Sequence, residues 1–222
     1  LLPKSVQPLT VRLLLKDIEE RDGHLSTGFV GLPILLKTLT KFGHADVAYK
    51  LLLNDTFPSW GYEIKHGATT IWERWDGWTQ EKGFQDPGMN SFNHYAFGAV
   101  GEWLFATVAG IDLEEPGFKK IHIRPCPDGR ISSVKATYRS INGEIVSEWR
   151  QTQDKFALSV TIPPNTEAAV SIPAASPSHV RENGIVLEES EGVHSVEAGD
   201  GVVIVRVGSG RYRFVSKRKR SQ

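Results

Sequence analysis

The chain runs to 222 residues and carries 26 Lys+Arg against 26 Asp+Glu, so no global field directs it to nucleic acid or to an anionic membrane surface. Its one cysteine, Cys126, excludes an internal disulfide framework and suits a reducing compartment, which tips an otherwise open localisation toward the cytoplasm. No apolar run approaches the length of a membrane-spanning helix, and Lys4 and Pro8 interrupt the only apolar start, so no secretory leader is legible.

The length suffices for one large domain or two modest ones. The chain opens on Leu1 and its only methionine is Met89, so further residues are expected ahead of Leu1 in the parent protein. Leu9, Leu13, Leu14 and Ile18 give helical spacing and predict a first helix over 8–20. Gly23 and the Ser26-Thr27-Gly28 cluster then break the pattern. Leu32, Leu35, Leu36, Leu39 and Phe42 predict a second helix over 31–42, ended at Gly43. Ala45, Val47, Ala48, Leu51 and Leu52 predict a third over 44–53, antiparallel to the second across a short turn. Residues 54–90 show no periodicity and hold Trp60, Trp72, Trp75 and Trp78. A structureless stretch of that length inside a compact domain is either functional or wrongly read. Ser91 is expected to cap a fourth helix over 90–109, burying Phe92, Tyr95, Ala99, Trp103 and Val108, with Gly110 as its stop.

After Pro116 the period changes from 3.6 to 2. Short alternating segments at 119–123, 131–138, 144–149, 156–162, 168–172, 202–207 and 212–215 are separated by Asp128-Gly129, Asn142-Gly143 and Pro163-Pro164-Asn165. Many short strands at close spacing predict an antiparallel β-sandwich. The boundary falls near 112–117, giving a helical domain over 1–114 and a sandwich over 115–222. The basic run Lys217–Arg220 reads as a solvated tail.

The chemistry concentrates in Gly67-Ala68-Thr69-Thr70-Ile71-Trp72-Glu73-Arg74-Trp75-Asp76-Gly77. A carboxylate between two indoles suits carbohydrate work, because an indole stacks on the apolar face of a sugar and its apolar wall modulates carboxylate basicity. Each residue also has a structural reading. Glu73 could pair with Arg74 or a backbone amide, and His94 could be a packed helix-terminal histidine. Trp60, Trp72 and Trp75 could be pocket wall or core, and Asp76 a hydroxyl acceptor or a turn former before Gly77. His24, His44, His66 and His122 show no metal-ligand spacing, so neither metal nor other cofactor is expected.

Three segments carry a resemblance. Pro58-Ser59-Trp60-Gly61-Tyr62, then Gly67 through Gly77, then Ser91-Phe92-Asn93-His94-Tyr95-Ala96-Phe97-Gly98-Ala99-Val100-Gly101-Glu102-Trp103-Leu104 resemble the bacterial α-L-rhamnosidases, in order. Asp22 through Gly28 and Pro116 through Ile121 extend the likeness, which fades after about residue 150. The resemblance implies an α+β multidomain architecture: helices of an (α/α)6 barrel followed by a β-sandwich. It also implies inverting hydrolysis of terminal α-L-rhamnosides, with Glu73 as general base and His94 on a sugar hydroxyl. Trp60, Trp72, Trp75 and Asp76 are then expected around the rhamnoside.

The general acid that the resemblance implies lies upstream, and nothing in residues 1–57 matches it. About four barrel helices are legible where a full (α/α)6 barrel has twelve. The chain is therefore expected to be inactive alone, with a rhamnose-containing glycoside as ligand and either the missing N-terminal half or another copy of itself as partner. The alternative is a non-catalytic carbohydrate-binding or assembly role.

Overall fold

The computed structural model describes residues 2–217, so the basic run Lys217–Arg220 lies, beyond Lys217, outside the described residues. The chain divides into two units, Leu1–Trp103 and Leu104–Gln222.

The first unit opens with α1 (Gln7–Glu20), α2 (Leu32–Lys41) and α3 (Ala45–Leu53). Pro8 sits in the first turn of α1, where a missing N–H breaks no helical bond. The apolar face of α1 matches the expected stripe only in part, at Ile18 and the half-buried Leu14. Val11 and Ile18 are buried, while Leu9 and Leu13 stand 52% and 58% exposed. Helix α2 buries Leu32, Leu35, Leu36 and Leu39, an i, i+3, i+4, i+7 stripe. It ends where Gly43 takes φ +86° and the His44 N–H donates to the Leu39 carbonyl at 2.8 Å, which turns the chain back into α3. Tyr49 of α3, fully buried, meets Trp103 edge-on at 5.1 Å, and the Trp103 Nε1–H donates to Thr40 Oγ1 at 2.9 Å. That indole pins the α2–α3 hairpin through one polar and one apolar contact.

Residues 54–90 are not structureless. They hold α4 (Trp60–Lys65) and a two-stranded hairpin of β1 (Trp78–Thr79) and β2 (Gly83–Phe84). Ser59 caps α4, accepting from the Tyr62 N–H at 3.0 Å. The helix is too short to display a period, which is why the pattern missed it.

The fourth helix expected over 90–109 is corrected. Ser91 does not cap it: its hydroxyl accepts from the Asn93 N–H at 3.1 Å, its carbonyl is committed to the Glu73 N–H, and the His94 N–H, which a cap would hold, is committed to the Ile71 carbonyl. Helical structure starts only with a 3₁₀ turn at Ala96–Ala99, followed by α5 (Val100–Trp103). Tyr95, expected in the core, is 86% exposed.

The second unit begins with a π-helical turn at Leu104–Val108 and then β3 (Ile111–Leu113), so sheet structure starts ahead of residue 115. The remaining strands are β4 (Lys120–Ile123), β5 (Ser133–Ser140), β6 (Gly143–Gln151), β7 (Lys155–Ile162), β8 (Glu167–Pro173), β9 (Val180–Glu182), β10 (Val193–Ala198), β11 (Val202–Val207) and β12 (Gly210–Lys217). They form two five-stranded sheets, β10-β11-β8-β4-β3 and β5-β6-β7-β12-β9. All pairs are antiparallel except β4 with β8, which run parallel from Lys120↔Glu167 to Ile123↔Val170. The hairpins β5–β6–β7 intervene between β4 and β8 in sequence but belong to the other sheet.

Alternation places Ile121, Ile123, Val170 and Ile172 inward from one sheet, and Ile145, Trp149, Phe156 and Leu158 from the other. The short strands β3, β9 and β10 escaped the sequence pattern. Trp149, fully buried, donates from Nε1 to the Val108 carbonyl at 2.7 Å, and the Ser147 hydroxyl donates to the Ala109 carbonyl at 2.7 Å. These bonds satisfy buried carbonyls that no strand partner reaches.

Two substitutions test this packing. Trp149→Phe keeps most of the apolar volume but orphans the buried Val108 carbonyl, so denaturant unfolding of the β unit should lose about 1–3 kcal/mol. A change smaller than about 0.5 kcal/mol would show that bond to be energetically idle. In the helical unit, a methyl added at Gly61 would meet the Asn54 carbonyl oxygen at 2.3 Å and the Asp55 Cα at 2.9 Å, whereas one at Gly101 meets nothing within 4 Å. Gly61→Ala should therefore destabilise by about 1–3 kcal/mol, and Gly101→Ala should be neutral or stabilising. Equal melting shifts for the two would mean that α4 is free to move off the 54–55 turn.

Candidate functional site

The site is built from two irregular segments laced side by side, 70–73 and 91–94. The Glu73 N–H donates to the Ser91 carbonyl at 2.9 Å, and the Ser91 N–H donates back to Glu73 Oε2 at 2.8 Å. The His94 N–H donates to the Ile71 carbonyl at 2.8 Å, and the Thr70 hydroxyl donates to the Phe92 carbonyl. Glu73 is half-buried, and among the described residues its Oε1 makes no hydrogen bond. One carboxylate oxygen is thus anchored to a backbone amide and the other is unengaged.

Aromatic packing holds this ladder from behind. Trp75 lies flat on Phe97 at 3.8 Å with an interplanar angle of 11°, and Trp60 meets Trp75 edge-on at 5.4 Å. Both indoles also donate to backbone, Trp60 to the Phe97 carbonyl at 3.1 Å and Trp75 to the Thr27 carbonyl at 3.0 Å. Trp72 meets Phe92 edge-on at 5.2 Å. Trp60 and Trp72 are each only 6% exposed, so neither offers an open ring face, while Trp75 is half-buried. Buried indoles with satisfied N–H groups fix geometry well, and that is the part Trp60 and Trp72 play here.

Asp76 is engaged. Arg74 grips it with two bonds, Nε to Oδ1 at 3.0 Å and Nη2 to Oδ2 at 2.9 Å, and this fork holds the Asp76 carboxyl below its ordinary range. Arg74 is thereby taken up by Asp76 and leaves Glu73 free of a salt bridge.

His94 sits between Phe29 at 5.6 Å and Tyr95 at 5.1 Å. Its Nδ1 accepts from the Ala96 N–H at 3.3 Å, which in the neutral ring assigns the proton to Nε2. His94 can therefore donate to a ligand oxygen. Glu73 and His94 both belong to this ladder, through the Glu73–Ser91 and Ile71–His94 bonds.

One residue of the site escaped the sequence reading. Glu63 on α4 is 3% exposed, and its Oε1 has no hydrogen-bond partner. Burial pushes its carboxyl up to about 8, with the Trp72 backbone N–H pulling in the opposite direction. The only sequence signal was the Ser59 cap, four residues earlier. Among the described residues, no group of three or more His, Cys, Asp or Glu is placed to hold a metal ion. Cys126 is half-buried, and burial raises its thiol, so it is not an activated nucleophile.

Comparison with known proteins gives one answer along the chain. Residues 1–108 match the family model of the bacterial α-L-rhamnosidase six-hairpin glycosidase domain, and residues 110–186 match that of the bacterial α-L-rhamnosidase C-terminal domain. An α-L-rhamnosidase of Streptomyces avermitilis is 47% identical over 214 residues, which cover 96% of this chain and 20% of that protein. One from Formosa agariphila is 38% identical over 204 residues, 92% of this chain and 22% of that protein. Among solved structures, the S. avermitilis α-L-rhamnosidase complexed with L-rhamnose superposes with a TM-score of 0.89 at 46% identity, covering 97% of this chain and 20% of that one. The α-L-rhamnosidase of Dictyoglumus thermophilum superposes with a TM-score of 0.84 at 35% identity, covering 98% of this chain and 24% of that one. The chain thus spans about a fifth of the length of the curated relatives it matches. Helical hairpin segment and β-sandwich agree in order and in fold, and the chain belongs to the bacterial α-L-rhamnosidase family of glycoside hydrolases.

Proposed function

We propose that this chain supplies the general base of an inverting α-L-rhamnosidase, and that the base is Glu73. The observation that carries the proposal is the asymmetry of its carboxylate. Oε2 is held by the Ser91 amide while Oε1 has no partner among the described residues, and Arg74 is diverted to Asp76. A base must be fixed in direction yet keep one oxygen free for the proton it takes.

In the reaction, Glu73 Oε1 accepts a proton from a water whose oxygen attacks the anomeric carbon of a terminal rhamnosyl group. The glycosidic C–O bond breaks on the opposite face, and a general acid protonates the leaving oxygen. Inversion needs the two carboxyl groups about 6.5–9.5 Å apart, so that the water fits between base and sugar. The acid is proposed to come from residues outside these 222. Asp76 is held ionised by Arg74 and does not suit a proton donor. His94 donates from Nε2 to a rhamnose hydroxyl, and Trp75, the one half-buried indole of the three candidates, borders the sugar. The rhamnoside substrate is carried over from the relatives named above.

Two outcomes are expected. The isolated chain should hydrolyse an aryl α-L-rhamnoside negligibly, with turnover restored by a polypeptide that contributes the acid. Robust activity of the pure chain would mean that the acid lies within these 222 residues. In the catalytically competent protein, Glu73→Gln keeps the Ser91 contact but removes proton abstraction. Its kcat should fall by about 10²- to 10⁴-fold with KM changed much less, and azide should partly restore the rate. His94→Ala should raise KM as well as lower kcat. A Glu73→Gln protein that keeps its kcat but melts at a sharply lower temperature would make Glu73 structural.

A further inference from the structure

The β5-β6-β7-β12-β9 sheet carries, on its outer face, positive charge that the chain does not answer. Strand β12 turns Arg211, Arg213, Val215 and Lys217 outward, while Tyr212, Phe214 and Ser216 are buried. Lys217, the first residue of the basic run, is thus part of a strand, and three of the four outward positions are cationic over about 20 Å of β12. Register sets Lys217 directly against Lys155 of β7, and Val215 against Arg181 of the edge strand β9. These residues line a cavity of about 520 Å³ whose wall holds Lys155, His179, Arg181 and Lys217 and no carboxylate. Like charges set directly opposite one another across a sheet are destabilising, so the fold holds Lys155 against Lys217 uphill.

The carboxylates of this region are engaged elsewhere. Glu182 is buried, and its Oε1 accepts from Asn183 Nδ2 at 2.7 Å and from the Arg213 backbone N–H at 3.2 Å. Glu148 on β6 pairs with Lys135 at 3.1 Å, and Asp154, next to Lys155 in the chain, does not line the cavity. Among the described residues, the side chains of Lys155, Lys217, Arg211 and Arg213 have no hydrogen-bond or ion-pair partner. Arg181 is different, being half-buried and fixed. Its Nη1 donates to the Ser178 carbonyl at 2.9 Å and to the Val180 carbonyl at 2.8 Å. That leaves the Nε and Nη2 edge of the guanidinium without a partner among the described residues. It is the same edge with which Arg74 grips the Asp76 carboxylate, at 3.0 and 2.9 Å.

We propose that this face is a binding site for an acidic polysaccharide, with Arg181 forking the carboxylate of one uronic acid unit over the cavity. Lys155 and Lys217 flank that unit, and Arg213 and Arg211 attract the units that follow along β12. A bound carboxylate would relieve the opposition of Lys155 and Lys217, and a pre-positioned guanidinium edge with two parallel donors matches a planar carboxylate. A line of cations suits a linear polyanion, and the absence of ring faces argues against nucleic acid. The aromatic residues of β7 and β12, namely Phe156, Tyr212 and Phe214, are all buried, so an unstacked base finds no ring to lie on. The anion-binding geometry owes nothing to the assignment of Glu73. That the anion is carried on a saccharide rests on the membership of the chain in a glycoside hydrolase family.

The test titrates the whole chain with polygalacturonate at low salt, beside neutral dextran, a dextran sulfate of matched charge density and single-stranded DNA. Polygalacturonate should bind, raise the melting temperature of the wild-type chain, and dissociate as salt screens the face. Neutral dextran should do neither. Lys155→Glu removes the like-charge pair, so it should raise the melting temperature without ligand and yet weaken polygalacturonate binding at least about tenfold. Arg181→Gln should weaken binding to a similar extent without that gain in stability. Lys4→Glu makes the same change in net charge on the helical unit and should leave binding as it was. Glu73→Gln should also bind polygalacturonate as the wild-type chain does, so a failure of the base assignment leaves this site standing. A wild-type chain that does not bind polygalacturonate would overturn the proposal, and this reading needs no variant to fold. Equal weakening by Lys4→Glu and Lys155→Glu would reduce the effect to bulk charge and would also overturn it. Tighter binding of the dextran sulfate or the DNA than of polygalacturonate would refute the uronic acid as the recognised unit.

Discussion

The reciprocal pair of bonds between Glu73 and Ser91 is the constraint on which the site depends. Glu73 gives its backbone N–H to the Ser91 carbonyl and receives the Ser91 N–H on one carboxylate oxygen. A carboxylate in an irregular loop would otherwise sample many rotamers, and freezing it without a partner would cost conformational entropy with no return. Here the same two residues share both bonds, so backbone register and side-chain direction are set together. The cost falls on Ser91, whose backbone N–H and C=O are spent on Glu73 while its hydroxyl accepts from the Asn93 N–H at 3.1 Å, a local turn rather than a helix cap. The start of the helical turn at Ala96 and the exposure of Tyr95 both follow.

Around that pair the tryptophans act chiefly by packing. Trp75 stacked on Phe97, with Trp60 edge-on to it, makes a rigid wall whose indole N–H groups are bonded to backbone carbonyls. Trp75 reaches the Thr27 carbonyl, and His24 of the same loop reaches Thr56 at 2.8 Å, so the 22–28 loop is stitched to the elements that flank the site.

How much of this was legible in the sequence depends on the range of the interaction. Helices α2 and α3 were readable because Leu32, Leu35, Leu36 and Leu39 repeat with the helical period, and strands β6 and β7 because Ile145, Trp149, Phe156 and Leu158 fall on alternate positions. Strands of three residues, such as β3 and β9, offer too few positions to establish a period. The parallel contact of β4 with β8 joins segments separated by three other strands, and no local pattern reports it. The apolar stripe of α1 named Leu9, Leu13, Leu14 and Ile18; Ile18 is buried as expected, but Leu9 and Leu13 are exposed and Val11 is buried instead, because periodicity tells which residues share a face and not what covers it. The roles proposed for Glu73 and His94 come from the resemblance and not from any local pattern. Glu63 was not, since a carboxylate on a six-residue helix looks like any solvated surface charge until the fold closes over it.

The division of labour within the Glu73 carboxylate can be examined most directly in a crystal of the catalytically competent protein soaked with L-rhamnose. The expected result is that Oε2 stays on the Ser91 amide while Oε1 faces the anomeric carbon across a single water, with His94 Nε2 on a ring hydroxyl. A sugar bound elsewhere, or a Glu73 whose Oε1 has turned into a protein hydrogen bond while rhamnose occupies the site, would contradict it.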